Sequence, residues 1–405
     1  MKNQYVQGKP LFTYINKNKT QYPYLTKNLE TDVCIIGGGV TGAIASYYFS
    51  KNNIKTVVLE KKRIAHLSTS VTTSLLQYEL DDNLSELTEY TTIENALKSY
   101  NLGLKALNEI EDFINLHENK CDYRKRDTLL YTSKKDEVNS IKIEYNLRKE
   151  NGFDVEYIDE NNNTYGCDIK AGIISKNGGA ELDPYKYTHQ LLKVALNNGA
   201  SVYENTEVID LIHNDNYIDV ITEYGYTVKA KKVIVATGYN TKLFSNRNFA
   251  TKTTTFNIVT KSLSNLESWN DRILIRDNCN PYHYLRTTVD NRIIIGGEDV
   301  DFIPDIFNEK LANEKYDLLE SKLKSMFKDI KNIEIEFKYC GAFASTPDNL
   351  GFVGPDKNHN NLWYLLGYGA NGILFAILGA IMLSQLYSGK ENKDMKLFKV
   401  DRFDN

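Results

Sequence analysis

Asp32-Val33-Cys34-Ile35-Ile36-Gly37-Gly38-Gly39-Val40-Thr41-Gly42 decides how this chain folds. A short apolar run that ends in glycines reads as a buried parallel strand. Residues 40–50 are small or apolar and contain no proline, so they can form a helix lying on that strand, closed by Asn52-Asn53. Thr56-Val57-Val58-Leu59-Glu60 is a second buried strand, which completes a unit of strand, helix and strand in about 30 residues. Within it Gly37 to Gly42 satisfies G-x-G-x-x-G. The first glycine allows a tight turn, Gly39 lets the backbone approach a pyrophosphate, and Gly42 permits close packing of helix on strand. The helix N-terminus then faces an anion with unpaired N–H groups and the positive end of its dipole. Glu60 stands close to the spacing at which an acid accepts hydrogen bonds from ribose hydroxyls and disfavours a 2′-phosphate. The competing reading is a glycine-rich turn with no ligand.

The chain has 405 residues, 49 Lys+Arg against 53 Asp+Glu, and a formal net charge of -4. With 41% hydrophobic and 25% charged residues it is neither disordered, collagenous nor a coiled coil. At roughly 150 residues per domain, two or three domains are expected. The charge provides no basic field for a phosphate backbone, which leaves small molecules, not nucleic acid, as the expected partners. Cys34, Cys121, Cys167, Cys279 and Cys340 lie far apart with no CxxC pair, which fits a reducing cytoplasm and no structural metal. Residues 1–10 lack the apolar core of a secretory signal, so a cytoplasmic location is expected. The longest apolar stretch, 372–383, is interrupted by Gly379 and too short for a membrane span; it reads as a buried helix.

The rest of the chain alternates between two textures. Residues 84–147 read as mostly charged and helical, with helical spacing over 92–116. Lys232-Val233-Ile234-Val235-Ala236-Thr237-Gly238 is another buried strand ending in small residues, as though the chain returns to the first domain. Strands dominate 251–299, with 280–288 and 292–295 flanking a Val289-Asp290-Asn291 hairpin turn. Residues 361–383 give a strand, a glycine-rich turn and an apolar helix.

After Glu60, residues 61–81 (KKRIAHLSTSVTTSLLQYELD) form a hydroxyl-rich loop able to donate further bonds to a pyrophosphate. At this point the chain resembles the FAD-dependent oxidoreductases of the D-amino acid oxidase, glycine oxidase and sarcosine oxidase superfamily, the DAO family. The resemblance spans almost the whole chain. It rests on DVCIIGGGVTG, STSVTTSLLQ, VIVATG, ASTPDNLGFVG at 344–354 and GYGANGILFA at 367–376. The fold it implies is α/β, a Rossmann-like FAD-binding domain interleaved with a second α+β substrate domain bearing an antiparallel sheet. Residues 1–30 would be a leader, 31–85, 166–245 and 335–405 the FAD-binding domain, and 86–165 and 246–334 the substrate domain. The implied FAD contacts are Gly37, Gly39, Val40, Thr41, Gly42, Glu60 and Lys61 in the opening motif, and Ser68, Thr69, Thr73, Ser74 and Leu75 along the pyrophosphate and flavin. Glu207 and Val208 would meet the adenine and Thr237 and Gly238 would pass near the dinucleotide. Gly369, Ala370, Asn371, Gly372 and Ile373 would place N–H groups where negative charge develops on a reduced flavin.

For the substrate, strand alternation puts Tyr282, Tyr284 and Arg286 on one face and His283 on the other. The relatives use this sheet to cover the flavin, which makes Tyr284 and Arg286 pocket candidates, with Arg suited to a carboxylate; ordinary packing is the alternative. Where amino-acid-oxidising relatives carry a carboxylate-gripping arginine, this chain aligns Phe343. The anion contact then comes from Arg286 or Arg276, or the substrate is an amine whose carboxylate is absent or remote. An oxygen-activating lysine of some relatives aligns with an isoleucine on the 292–296 strand, leaving oxygen or another redox carrier open as acceptor. Gly341 aligns with the position of covalent flavin attachment, so FAD is expected to be noncovalent. The expected reaction is hydride transfer from the C–N bond of an amine or amino acid, then imine hydrolysis. The alternatives are an FAD dehydrogenase of a hydroxy acid or polyol phosphate, and a flavin-binding non-catalytic subunit.

Overall fold

A computed structural model describes residues 5–16, 20–266, 269–304 and 307–404. The parts of the expected segments at 1–4, 17–19, 267–268, 305–306 and 405 lie outside these. The chain forms two units: 1–15, 71–183 and 252–343 in the first, and 16–70, 184–251 and 344–405 in the second. These boundaries depart from the expected segments. The leader is divided at residue 15, and its strand Val6–Gly8 pairs with Ile335–Ser345 at the edge of the first unit's sheet. Residues 71–85, 166–183 and 335–343 belong to the first unit, and 246–251 to the second.

The second unit is built on the opening motif. Its eight-stranded sheet runs Phe352–Pro355, Leu362–Leu366, Thr227–Val235, Leu29–Ile36, Thr56–Leu59 and Ser201–Tyr203, with the hairpin Val208–His213 and Ile218–Thr222 paired onto Thr227–Val235. The pairs at its centre are parallel, with Val33 opposite Thr56 on one side and Lys232 on the other. Strands covered on both faces read as continuous apolar runs, which is why 33–36, 56–59 and 233–235 were legible. The helix Val40–Lys51 buries ten of its twelve residues, packed by Pro184–Asn197 and Gly372–Tyr387. The latter is the expected apolar helix; no helix among the described residues is long and apolar enough to cross a membrane.

The first unit carries a ten-stranded sheet in which Leu274–Asp277 runs parallel to Arg124–Thr132, while His283–Thr287 and Ala171–Glu181 are antiparallel to each of their neighbours. The segment 84–147 is therefore not simply helical: a nine-residue strand stands between the helices Ile93–His117 and Val138–Glu150. Its charged opening, Arg124 to Asp127, hides the strand period. The eleven-residue strand Ala171–Glu181 pairs with it over most of its length, which carries 171–181 into this unit. The expected hairpin forms from His283–Thr287 and Ile293–Asp301, turned by Asn291 at φ 60°.

One face of this sheet packs on the helix Glu309–Met326 through Phe256, Ile258, Leu285, Ile293, Ile295, Tyr316 and Leu319. A charged clamp ties the same layers together. Asp277 Oδ2 receives Lys322 Nζ at 2.8 Å and bonds His283 Nδ1 at 2.8 Å, while His283 Nε2 meets Glu298 Oε1 at 3.0 Å and Lys315 meets Glu298 Oε2 at 2.8 Å. Burial alone would lower the His283 pKa, but the Asp277 and Glu298 bonds and charges outweigh it and raise it. The Asp277 and Glu298 carboxyls are pulled below their usual range by the same partners, against burial.

Two predictions follow from this architecture. A β-carbon on Gly42 would lie 1.9 Å from the Gly37 carbonyl oxygen, so Gly42→Ala should lower unfolding free energy by about 1–3 kcal/mol, the range for overpacking. Urea denaturation with an unchanged midpoint would refute the contact. Because the folded pKa of His283 is raised, its contribution is complete below the unfolded value of about 6.5 and is lost as pH rises through the folded value. The stability difference between the wild type and His283→Gln should therefore shrink as pH is raised from about 6 to about 9; a difference independent of pH would show that the imidazole is not charged.

Candidate dinucleotide and substrate sites

The strand Leu29–Ile36 delivers the chain to Gly37, which has φ 116° and donates its N–H to Leu59 O at 2.9 Å. A side chain there would meet Ala236 O at 2.4 Å. The helix begins with Gly39 as its cap and Ala43 N–H bonding Gly39 O at 3.0 Å. Val40 N–H donates to Thr69 Oγ1 at 3.0 Å, so the hydroxyl loop reaches the helix start as the resemblance implies. A β-carbon on Gly39 would meet only Thr69 Oγ1, at 3.1 Å. The protein's own packing hardly requires glycine at 39, whereas the close approach of a pyrophosphate does.

Glu60 is 6% exposed, and its carboxylate accepts Gly38 N–H at 2.7 Å and Lys62 N–H at 2.8 Å. Burial raises its pKa against those bonds and the Lys61 charge. The acid thus fastens the glycine loop, and each oxygen keeps a lone pair for a ribose hydroxyl. Thr206 N–H bonds Glu60 O at 2.9 Å, bringing Val208, buried opposite Thr222, near the same end of the sheet. The carbonyl of Glu207 is occupied by Glu223 N–H at 2.9 Å. Glu204, which no motif signals, is 1% exposed and accepts Ile64 N–H at 2.6 Å and Tyr22 N–H at 3.2 Å, fixing the loop after Glu60.

Next to Gly37, the hydroxyl of Thr237 is buried without a hydrogen-bond partner, and Gly238, at φ 58°, faces open space where a β-carbon would be. Gly238 O accepts Tyr368 OH at 2.9 Å, and Tyr368 stacks on Tyr239. In the C-terminal turn Gly369 has its N–H bonded to Ala344 O at 2.8 Å, so it is not among the convergent donors expected there. The helix Gly372–Tyr387 starts after Asn371, whose carbonyl takes Phe375 N–H at 3.0 Å. Gly372 and Ile373 therefore present first-turn N–H groups that have no acceptor within the helix, beside Ala370, which is exposed. An orphaned hydroxyl, an open glycine cradle and two helix N-termini fit a bound dinucleotide.

Thr73, Ser74 and Leu75 lie in the first unit, apart from Ser68 and Thr69 in the chain's division. Thr73 O accepts Arg286 Nε, Ser74 Oγ is buried without a partner, and Leu75 pairs with Glu181. Arg286 corrects the sequence reading. It is 3% exposed, and its donors go to the carbonyls of Thr73, Leu182 (2.9 Å) and Thr287 (3.3 Å), with Glu181 Oε2 at 3.5 Å. Arg276 is spent likewise, on Leu80 O, Asp81 O and Asn83 Oδ1 at 2.8–3.0 Å. Neither guanidinium offers a free fork for a carboxylate.

Tyr284 remains a pocket candidate, with its OH 2.9 Å from Thr255 Oγ1 and its ring 5.7 Å from that of Tyr282. Phe343 alternates along Ile335–Ser345 with Cys340, which is in the core, so Phe343 shares the opposite face with Tyr339 and is half-buried. The Cys340 thiol is pushed up to about 11 by burial, unsuited to covalent attachment, and Gly341 has no side chain to bond. Among the described residues, Asp277, Cys279 and His283 bring possible metal-ligand atoms within 4.8 Å of one another. Both His283 nitrogens are already bonded and Lys322 supplies the cation, so the cluster is read as structural.

Comparison with known proteins agrees with this geometry. The chain is 24% identical, over its full length and 78% of the relative, to a protein of Bacillus subtilis (strain 168) described as a putative Rieske 2Fe-2S iron-sulfur protein. It is 23% identical to the glycine oxidase of the same strain, over 92% of this chain and 97% of that one. Its fold matches the crystal structure of L-proline dehydrogenase from P. horikoshii with a TM-score of 0.78 at 17% identity, covering 93% of this chain and 98% of that one. A family model described as FAD dependent oxidoreductase matches residues 32–386, and the chain belongs to that family, DAO, as an enzyme that uses FAD.

Proposed function

We propose that the protein oxidises the C–N bond of an amine or amino acid, releasing the imine to hydrolysis. The observation that carries this choice within the family is the state of the two arginines. An anionic group, whether a phosphate or the carboxylate of a hydroxy or amino acid, needs a cation to hold it, and the donors of Arg276 and Arg286 are taken by the chain itself, which favours an amine whose carboxylate is absent or remote. The names of the glycine oxidase and L-proline dehydrogenase relatives favour the same chemistry.

When bound, FAD accepts a hydride from the carbon that carries the nitrogen. The chain supplies placement. Gly39, Thr69 and the N-terminus of Val40–Lys51 hold the pyrophosphate, Glu60 the ribose, and the first-turn N–H groups of Gly372 and Ile373 favour negative charge. The substrate is assigned to the Tyr284 and Phe343 face of the first unit. Burial raises the pKa of Tyr282 and Tyr284, so both phenols stay neutral and act as hydrogen-bond donors or acceptors. As the hydride leaves, the nitrogen loses a proton and C=N forms; water then adds and the amine nitrogen departs. Electrons pass on to oxygen or another redox carrier. FAD is held without a covalent bond.

Acid precipitation of the purified yellow protein should release all its flavin to the supernatant, and a coloured pellet would contradict noncovalent binding. Gly39→Val should fold, with the far-UV spectrum of the wild type, yet retain less than roughly a tenth of the FAD, by blocking the pyrophosphate approach; a fully flavinated variant would remove the loop assignment. Mixed without oxygen with amines, amino acids, hydroxy acids and glycerol phosphate, the holoenzyme should be bleached by a nitrogen compound. Bleaching by hydroxy compounds alone would replace this reading with C–O oxidation, and no bleaching at all would favour a non-catalytic subunit.

A further inference from the structure

Beside Tyr284, on the face assigned to the substrate, the first unit's sheet carries an acidic group that nothing above uses. Between Thr254 and Phe256 the pairing with Ile293–Asp301 shifts register, so Thr255 stands opposite Glu298 and Asp299. Such a bulge re-aims side chains. Thr255 Oγ1 meets Tyr284 OH at 2.9 Å, and Tyr282 OH donates to Asp81 Oδ1 at 3.3 Å. Among the described residues Asp299 receives Thr253 Oγ1 at 3.1 Å and no cation: Lys315, whose charge reaches it, is engaged by Glu298 at 2.8 Å.

A second observation is independent of the carboxylates. The Oδ1 atom of Asn257 is buried, in a residue 1% exposed, and has no hydrogen-bond partner. It lies beside Tyr284 on the same face of the sheet, because Gly296 pairs with both Asn257 and Tyr284 and a β-carbon there would lie 2.4 Å from Asn257 Oδ1 and from Tyr284 Cε2. An orphaned carbonyl oxygen is an acceptor that waits for a donor, and leaving it empty is costly. A tyrosine ring, the Asp299 carboxylate and an orphaned acceptor together suit one chemical group, an ammonium, which brings three donors and a positive charge and binds well beside tyrosine. A carboxylate placed there would meet a like charge.

We propose that this patch recognises a second ammonium on the substrate, so that the substrate is an α,ω-diamine or a longer polyamine. The inference rests on the reading of the protein as an amine oxidoreductase. The nitrogen held by Asp299 and Asn257 is the one that does not react. The chain length between the two nitrogens then sets which carbon is presented for oxidation, and an α-amino acid lacks the group the patch is built to hold.

The test uses the FAD-loaded full chain with three four-carbon probes: 1,4-diaminobutane, butylamine and 4-aminobutanoate. Affinity is read twice, by titration calorimetry and from the concentration dependence of flavin reduction without oxygen. The diamine should bind roughly tenfold more tightly than butylamine, and 4-aminobutanoate more weakly than either, as expected for one partly buried charge pair. In Asp299→Asn, and separately in Asn257→Leu, the diamine-to-butylamine ratio should fall toward one, with melting temperature and flavin content measured alongside to show that each variant is folded. Equal affinities for diamine and butylamine, or a ratio unchanged in Asp299→Asn, would overturn the inference while leaving amine oxidation intact. Tight, Asp299-dependent binding of the diamine with no flavin reduction by any amine would instead refute the amine oxidoreductase reading and keep the cation site.

Discussion

The nucleotide end of the protein depends on one close approach of two backbone segments. The carbonyl of Gly37 lies where a β-carbon of Gly42 would be, and the other side of Gly37 lies against the carbonyl of Ala236. With no side chain at either position, the strand Leu29–Ile36 can turn at once into the helix Val40–Lys51. That turn aims the helix N-terminus out of the sheet and brings Val40 N–H to Thr69 and Gly38 N–H to Glu60. The proposed anion site follows from this geometry, because first-turn N–H groups lack acceptors within any helix.

Electrostatics separates what is structural from what is available. Buried charges in the first unit are mostly satisfied by the chain itself. Arg286 and Arg276 serve backbone carbonyls, Arg148 bonds Glu144 and Glu79, and His283 is held by Asp277 and Glu298. Removing one partner from such a set leaves the other charge or carbonyl buried and uncompensated, so these residues support the sheet and are poor choices for ligand contacts. Asp299 differs, since hydroxyls are its partners and burial holds its carboxyl above the usual range. A bound cation would relieve that cost.

Legibility in the sequence followed the length and regularity of each signal. The parallel strands at 33–36, 56–59 and 233–235 are apolar throughout, and the glycine spacing marks the turn, so this core could be read directly. The helix Ile93–His117, capped by Thr92 accepting Asn95 N–H, also matched its spacing. The strand Arg124–Thr132 was hidden by its charged start, and Ala171–Glu181 by glycines in its second half, because their pairing is with each other and lies far apart in sequence. Residue type suggested Arg286 as a substrate anchor, but type cannot show that its donors are already taken. Glu204 and Asn257 carry no local signal at all; each is defined by what distant strands bring to it.

The account stands most directly on the bond that is broken. Reducing the FAD-loaded protein with one equivalent of a diamine in the absence of oxygen and quantifying ammonia against flavin reduced measures that bond in a single turnover. C–N oxidation predicts one ammonia and one carbonyl product for each flavin reduced. Flavin reduction with no ammonia formed, or reduction by hydroxy compounds alone, would contradict it.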